Sequence, residues 1–535
     1  MKSIKKFLAV ILSMTLMLTL GTAAFGVQKT LPSGKDTGSI NVTNLKPGDT
    51  VTAYQFVKAD YNEYGFTGYS AINNYVKDPV APTAQEVIDM ASNAATMTVA
   101  AEKKVATGDT EVTLNGLPVG YYLVMVTSGS ETVYSPMIAG IYYSKSATDN
   151  TLTNGAISAD SDFEIKAQKC WAKSSTPKLE KTIVTPSSKN SKGDDIAIGD
   201  KITFNLSATV PSYSKEYKKV TYKIYDIMSE GLDYVDGSMK CFIEKYENNR
   251  ENIKATPKVN GGIIEITFDS KFILEHPGQK IQVEYQAKLN EKAGVNFDAN
   301  INKAYLEYSN NPASGSTAKT GEDKVYVYTF GIDSNLFGKS TEKWNGKTKE
   351  LIKVEEGEYQ WVETEKESGI FTTTTALEGA TFTLTNNKTK KSYTATSDKY
   401  GYLKFTGLDA GEYTLQETDA PDGFTLNDAK HTVVITAEYN QDGTLKSYTI
   451  KIDDKATSTY TATYDKGVIK TITSTKDSQG NISESAILKN SKMSFLPSTG
   501  GVGTTIFAIV GVVFVAAALG LHMILRGKSK LEQDR

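Results

Sequence analysis

Three side chains that can react with one another occupy apolar faces of predicted strands in the middle of the chain. Successive side chains of a strand point to opposite faces, so Lys181 shares its face with Leu179 and Ile183. The same alternation gives Asp226 and Asn302 apolar neighbours: Val220, Tyr222 and Ile224 for Asp226, and Ala304, Leu306 and Tyr308 for Asn302. Burial disfavours charge, so it lowers the pKa of a lysine and raises that of a carboxyl group. A buried amine, amide and acid can form a lysine–asparagine isopeptide bond, in which the acid polarises the amide and shuttles protons.

A similar set of residues occurs nearer the C-terminus. Glu417 shares a predicted strand face with Tyr413 and Leu415. Asn490 shares a face with Ala486 and Leu488, just ahead of residue 496. This part of the chain therefore also offers a buried acid and a buried amide.

The segments that position these residues have the alternation, or the β-branched and aromatic runs, that are typical of strands. They are 40–58, 112–126, 201–210, 219–227, 262–268, 280–289, 301–308, 381–385, 412–417 and 432–438. One helix is predicted around Ala84 to Ala95. These patterns indicate an all-β fold of antiparallel sandwiches. The predicted units are 27–175, 176–325 and 326–495, with borders near residues 174–177 and just after the polar loop 310–322.

The two ends of the chain predict export and anchoring. Residues 1–26 have the layout of a signal peptide, with lysines, an apolar core and then small residues, so we expect cleavage after Ala24 or Gly26. Residues 502–525 form an apolar run long enough to span a membrane. Residues 526–535 form a basic tail, which we expect to stay on the cytoplasmic side.

Composition excludes several classes of function. A net charge of −3, from 59 basic and 62 acidic residues, does not suit nucleic-acid binding. Three histidines and two cysteines, in no recognisable spacing, predict no metal site and no cofactor. Hydrolase and nucleotide-binding motifs are missing, so we expect no enzyme activity. Cys170 and Cys241 are equally compatible with a disulfide and with free thiols.

The pentapeptide Leu496-Pro497-Ser498-Thr499-Gly500 stands immediately before the apolar run. Together with that run and the basic tail, it resembles the cell-wall sorting signal of Gram-positive surface proteins, which sortase transpeptidases read. The resemblance implies that a sortase cysteine attacks the Thr499 carbonyl, expels Gly500 onward and passes the Thr499 acyl group to an amine. Pro497 biases Leu496 toward extended geometry, which suits a peptide held in a narrow groove.

Two further strings resemble domains of sortase-assembled Gram-positive backbone pilins. The string GEYTLQETDAPDGF at 411–424 resembles the E-box of CnaB-type domains, and residues 116–122 match 407–413 at an offset of 291. The strings around Lys181, Asp226 and Asn302 resemble the isopeptide-forming second domain of these pilins. The resemblance implies tandem immunoglobulin-like, CnaB-type β-sandwich domains in an elongated rod.

The resemblance also assigns roles to the reactive side chains of the middle unit and the first unit. It implies a bond between Lys181 and Asn302, with Asp226 as the catalytic acid. The 291-residue offset places Val126 where the third unit has Glu417. We therefore expect no isopeptide bond in the first unit.

For the third unit the resemblance implies a bond to Asn490 with Glu417 as the catalytic acid. The lysine is Lys339 if Gly338 allows a bulge, and Lys343 otherwise.

The amine that accepts Thr499 is a lysine of a YPKN-like motif in shaft pilins, and this sequence lacks that motif. Lys169 lies nearest the corresponding place, with Lys173 and Lys166 as alternatives. The resemblance implies a secreted, wall-anchored shaft subunit whose partners are sortase, identical subunits, minor pilins and peptidoglycan, with host extracellular matrix as a further candidate. The alternative is a singly anchored adhesin or pilus-base subunit that binds a host ligand.

Overall fold

The computed structural model describes most of the chain between residues 31 and 492. The described residues are 31–128, 131–145, 152–153, 155–157, 163–184, 190–246, 249–332, 343–344, 347–355, 358–364, 373–375, 378–398, 403–453, 455–475 and 491–492. The predicted signal peptide, sorting signal and apolar run lie outside them. Within the described part of the chain, no helix is long and apolar enough to cross a membrane.

The described residues of the first unit form two larger sheets, a small two-stranded sheet, and one α-helix followed by a short 3-10 turn. Its elements are β1 (Thr37–Thr43), β2 (Thr50–Asn62), β3 (Gly65–Ala71), α1 (Ala84–Ser92), β4 (Val99–Lys104), β5 (Glu111–Pro118), β6 (Gly120–Thr127), β7 (Val133–Tyr134), β8 (Met137–Ser144), β9 (Glu164–Ala167), β10 (Lys169–Trp171) and β11 (Ser174–Ser175). One larger sheet has the order β3-β2-β6-β8-β9, with β4 also on β2, and the other has the order β10-β1-β5, whereas β7 and β11 form the two-stranded sheet.

The middle unit is a sandwich of two larger sheets. Its elements are β12 (Leu179–Ile183), β13 (Gly193–Asp195), β14 (Lys201–Thr209), β15 (Tyr222–Met228), β16 (Leu232–Tyr234), β17 (Lys240–Tyr246), β18 (Asn249–Ile253), β19 (Thr256–Asn260), β20 (Ile263–Thr267), α2 (Ser270–Glu275), β21 (Lys280–Leu289), β22 (Asn300–Asn311), β23 (Ser316–Lys319) and β24 (Asp323–Tyr328). The sheets have the orders β12-β14-β21-β17-β18 and β13-β24-β22-β15-β20-β19.

The third unit is built on a seven-stranded sheet, β31-β30-β33-β35-β36-β37-β38. Its elements are β25 (Phe330–Ile332), β26 (Lys343–Trp344), β27 (Lys347–Glu355), β28 (Glu358–Thr364), β29 (Thr373–Thr375), β30 (Thr381–Asn386), β31 (Ser392–Thr396), β32 (Phe405–Leu408), β33 (Gly411–Asp419), β34 (Phe424–Thr425), β35 (Lys430–Tyr439), β36 (Leu445–Ile452), β37 (Lys455–Asp465), β38 (Val468–Thr475) and β39 (Ser491–Lys492).

The all-β prediction is confirmed, and two of the predicted strands each divide into two. The segment 40–58 contains β1 and β2, separated by a turn in which Gly48 has a φ of +91°. The segment 112–126 passes from one sheet to the other, because β5 pairs with β1 and β6 pairs with β2. Gly120 lies at the crossing with a φ of +155°, and a Cβ there would lie 2.2 Å from the Val57 carbonyl oxygen. That close approach explains the need for glycine at this position.

Two further details differ from the sequence prediction. The helix α1 ends at Ser92, earlier than expected, and a capping box between Thr83 and Glu86 fixes its start. The sandwiches are not wholly antiparallel, because β1 pairs with β10 and β13 pairs with β24 in parallel.

The buried apolar side chains form clusters that follow the three units. One cluster in the first unit lies between its two sheets, and another lies under α1. The middle cluster fills the space between the two sheets of the sandwich. The third cluster includes Tyr326 and Tyr328, which lie at the end of β24. This strand pairs with β22 in the middle unit and also packs against the third unit.

The segment after β13 connects the middle unit to the third unit. The Tyr439 hydroxyl donates a hydrogen bond of 2.6 Å to Asp195, and the Ile198 amide donates one of 3.0 Å to the Gly407 carbonyl. Lys391 donates to the Ile198 carbonyl over 2.6 Å. The two units are therefore joined by polar contacts as well as by the continuous chain.

Candidate isopeptide site

The predicted reactive side chains of the middle unit come from both sheets of the sandwich. Lys181 lies on β12 in one sheet, whereas Asp226 and Asn302 lie on the adjacent strands β15 and β22 of the other. All three side chains are fully buried, so the prediction that they face inward is confirmed. A covalent bond from Lys181 to Asn302 would join the two sheets through the core.

The Lys181 amine contacts the carboxylate of Asp226 directly, through Oδ2. It also lies 5.0 Å from the centre of the Phe204 ring. Burial lowers the pKa of Lys181, and the charge of Asp226 opposes this effect. A lysine in this environment gives up a proton more easily than one in water, which a nucleophilic amine requires.

The hydroxyl of Tyr285, on β21, completes the cluster and was missed from the sequence. It donates to Asp226 Oδ1 over 2.7 Å, accepts from Asn302 Nδ2 over 2.7 Å and lies 3.1 Å from Lys181 Nζ. Burial, together with the neighbouring Asp226 charge, raises the pKa of Tyr285 well above its ordinary value. The only sequence signal was its inward position in the alternation of β21, which it shares with ordinary core residues.

A second layer of charged groups fixes the backbone at Lys181. Its amide donates to Asp323 Oδ2 over 2.7 Å, and its carbonyl accepts from Lys192 Nζ over 2.6 Å. Lys192 and Asp323 also form an ion pair at 2.6 Å. These contacts hold the start of the lysine side chain at one place on β12.

The structure describes part of the candidate site in the third unit. Glu417 is buried on β33 and accepts a hydrogen bond of 2.7 Å from the Asn427 amide, so its predicted inward orientation is confirmed. Lys339 and Asn490 lie outside the described residues, and Lys343 is described only as part of the backbone of β26. Ser491, the residue after Asn490, pairs with Thr425, which is two residues from Asn427.

In the first unit Val126 is buried in the apolar core, at the place of Glu417 in the repeat. Other positions of this unit nevertheless carry buried carboxyl groups, those of Asp49 and Glu164. Asp49 accepts from the Tyr134 hydroxyl over 2.6 Å. Glu164 lies 3.1 Å from the amine of Lys166, which is buried beside it on β9.

The three candidate linkage lysines differ in accessibility. Lys169 is exposed on β10, which forms an edge of its sheet, and Lys173 is exposed two residues beyond that strand. Lys166 is buried and paired with Glu164. Accessibility to an enzyme therefore favours Lys169 and Lys173.

The two cysteines are both free and buried, so the disulfide alternative is wrong. Cys170 packs in the first unit, and Cys241 packs in the middle unit. Burial raises the pKa of Cys170 to about 12 and that of Cys241 to about 11. Within the described residues, no group of three or more histidine, cysteine or acidic side chains could hold a metal ion.

Comparison with known families matches three separate parts of the chain. Residues 35–174 match the T6 antigen Ig like domain, residues 370–451 match the prealbumin-like fold domain called SpaA, and residues 489–530 match the LPXTG cell wall anchor motif. These matches support the resemblance to sortase-assembled Gram-positive backbone pilins.

One relative and one solved structure, both of a T6 protein, resemble the chain over most of its length. The chain is 26% identical to the trypsin-resistant surface T6 protein of Streptococcus pyogenes serotype M6, over 93% of this chain and 96% of that protein. The solved structure of the T6 backbone pilin of serotype M6 Streptococcus pyogenes, described as a modular three-domain structure, is 21% identical. It matches with a TM-score of 0.57, over 86% of this chain and 100% of that one. This structural match supports the fold.

Proposed function

We propose that this protein is the shaft subunit of a covalent Gram-positive pilus. Sortase joins Thr499 of one subunit to a lysine of the next, and the product is a homopolymer anchored in the cell wall at the bacterial surface. The observation that carries the proposal is the LPXTG anchor match at 489–530, on a chain that resembles the T6 protein along 93% of its length. The subunit is structural and has no catalytic turnover.

We assign the linkage to Lys169 because it combines exposure with an edge-strand position at the end of the first unit. An edge strand is open on one side, so an enzyme that holds the Thr499 acyl group can approach it. The proposed domains are 27–175, 176–325 and 326–495. Minor pilins and host extracellular matrix are further proposed partners, and they rest on the resemblance alone.

We further propose that the middle unit contains a Lys181–Asn302 isopeptide bond. The contact of a buried amine with Asp226, beside a buried amide, supports this bond. For the third unit we propose a bond from Lys339, or from Lys343, to Asn490 with Glu417 as the acid. The buried Glu417 carboxylate supports that second bond.

The polymer proposal is tested by producing the chain together with a pilus-class sortase. We expect a ladder of high-mass species that withstands boiling in detergent, and we expect Lys169→Arg to reduce it to monomer. Lys103→Arg, at an exposed lysine of β4, is the matched control and should leave the ladder unchanged. A ladder that persists in Lys169→Arg contradicts the linkage assignment, whereas no ladder in the wild type contradicts the shaft function.

A further inference from the structure

The Tyr285 hydroxyl is a fourth polar group in the buried cluster of the middle unit, beside the amine, amide and acid. It lies within hydrogen-bond distance of Asp226, Asn302 and Lys181, at 2.7 Å, 2.7 Å and 3.1 Å. The side chains of Tyr285, Lys181, Asp226 and Asn302 are all essentially inaccessible to solvent. Protons that move during bond formation must therefore pass between these groups.

The two oxygens of Asp226 face different partners. Oδ2 contacts the attacking amine of Lys181, whereas Oδ1 accepts the hydrogen bond of Tyr285. On its other side, the Tyr285 oxygen accepts from Asn302 Nδ2. Tyr285 thus stands between the acid and the amide nitrogen.

The reaction expels the amide nitrogen of Asn302 as ammonia. Amide nitrogen is a poor leaving group unless it receives a proton, and a positioned acid normally supplies one. Asp226 hydrogen-bonds to Lys181 and Tyr285, whereas Asn302 Nδ2 hydrogen-bonds to Tyr285. The tyrosine hydroxyl is therefore the connecting group between the acid and the nitrogen that leaves.

We propose that Tyr285 relays a proton from Asp226 to the leaving nitrogen of Asn302. This inference rests on the proposed isopeptide bond. Lys181 first transfers a proton from its ammonium group to Asp226, and the neutral amine attacks the Asn302 Cγ atom. In the resulting tetrahedral intermediate, rotation of the Asp226 carboxyl group turns its protonated oxygen toward Tyr285. That oxygen gives its proton to the Tyr285 oxygen while Tyr285 gives its own proton to Nδ2.

The C–N bond to Nδ2 then breaks and ammonia leaves. The Lys181 nitrogen, now bonded to Cγ, passes its surplus proton to Asp226. The products are one amide, one ammonia molecule and a protonated Asp226, and Tyr285 is regenerated. The five protons of the starting ammonium and amide groups are accounted for: one on the new amide, three in ammonia and one on Asp226. No outside reactant is needed.

The test uses Tyr285→Phe, which keeps the ring and removes the hydroxyl. Tyr222→Phe is the matched control, because Tyr222 is equally buried in the same unit and its hydroxyl has no hydrogen-bond partner among the described residues. The full chain is made by pulsed cell-free translation, and the Lys181–Asn302 crosslinked peptide is quantified over time by mass spectrometry. Loss of a general acid–base group lowers rates by about 100-fold or more, so we expect bond formation to slow by that factor in Tyr285→Phe and to be unchanged in Tyr222→Phe.

The possible outcomes separate the relay from the bond itself. A wild-type chain without the crosslinked peptide overturns the proposed bond and the relay with it. If the wild type forms the Lys181–Asn302 crosslink and Tyr285→Phe forms it at the same rate, the relay alone is overturned.

Resistance of the middle unit to trypsin establishes that each variant folds. If Tyr285→Phe does not fold, the wild-type rate is measured in mixtures of light and heavy water. If the relay moves two protons together, a plot of the rate of bond formation against the deuterium fraction is curved. A straight line overturns the relay.

Discussion

Removal of the Asn302 amide should destabilise the middle unit by an amount set by the length of chain that the proposed bond encloses. A bond from Lys181 to Asn302 closes a loop of about 120 residues, and the chain-entropy relation for a crosslink of that span gives about 5 kcal/mol. Asn302→Ala leaves the contact between Lys181 and Asp226 in place, so the loss is not that of an unpaired buried charge. In a unit of this size, that loss corresponds to a fall in Tm of roughly 10–20 °C.

Differential scanning calorimetry of residues 27–495, with intact mass measured on the same samples, provides the assay. Gln282→Ala removes another buried amide of this unit and should keep the crosslink, with a smaller loss of roughly 1–3 kcal/mol. The Tm of Asp226→Ala should lie below that of Asn302→Ala, because Lys181 then also loses its carboxylate partner. If Asn302→Ala lacks the bond but unfolds within about 4 °C of the wild type, the loop-entropy reasoning is refuted.

Two further predictions concern the number of bonds and the state of the thiols. Intact mass of residues 27–495 should show the loss of two ammonia molecules, and Glu417→Ala should remove one of these losses. A third loss of ammonia that disappears in Lys166→Ala would show that Lys166, which is paired with the buried Glu164, has also bonded to an amide side chain. Cys170 and Cys241 should resist iodoacetamide at about pH 8 until the chain is unfolded, because burial holds both pKa values well above the ordinary value of about 8.5. Alkylation of either thiol in the folded chain, detected by mass, would contradict this expectation.

Alternation along single strands was enough to predict which reactive side chains are buried. Lys181, Asp226 and Asn302 lie on strands with one apolar face, so a period of two places them inward. Tyr285 occupies the same kind of position, but its sequence cannot show whether its hydroxyl meets partners from other strands. The hydroxyl meets Asp226 and Asn302, which lie in the other sheet, and the pattern along a single strand does not encode contacts between sheets.

The burial of Lys166 was missed for a related reason. Ile165 and Ala167 are the apolar residues of β9, so alternation by itself would put Lys166 on the opposite, solvent-facing side. Tyr142, which pairs with Lys166 on β8, is also buried, so this part of the sheet is covered on both sides. The parallel pairing of β1 with β10 likewise joins distant segments, and short-range sequence carries no signal for it.

The placement of Lys181 on the first strand of the middle unit and Asn302 on a late strand has a mechanical consequence. Tension along a fibre would enter the middle unit at β12 and leave it through β24, which pairs with β22. With the proposed bond formed, that load passes from β12 to β22 through one amide and bypasses the roughly 120 residues between. Those residues would otherwise add about 400 Å to each subunit on unravelling, so the bond makes the middle unit an almost inextensible link.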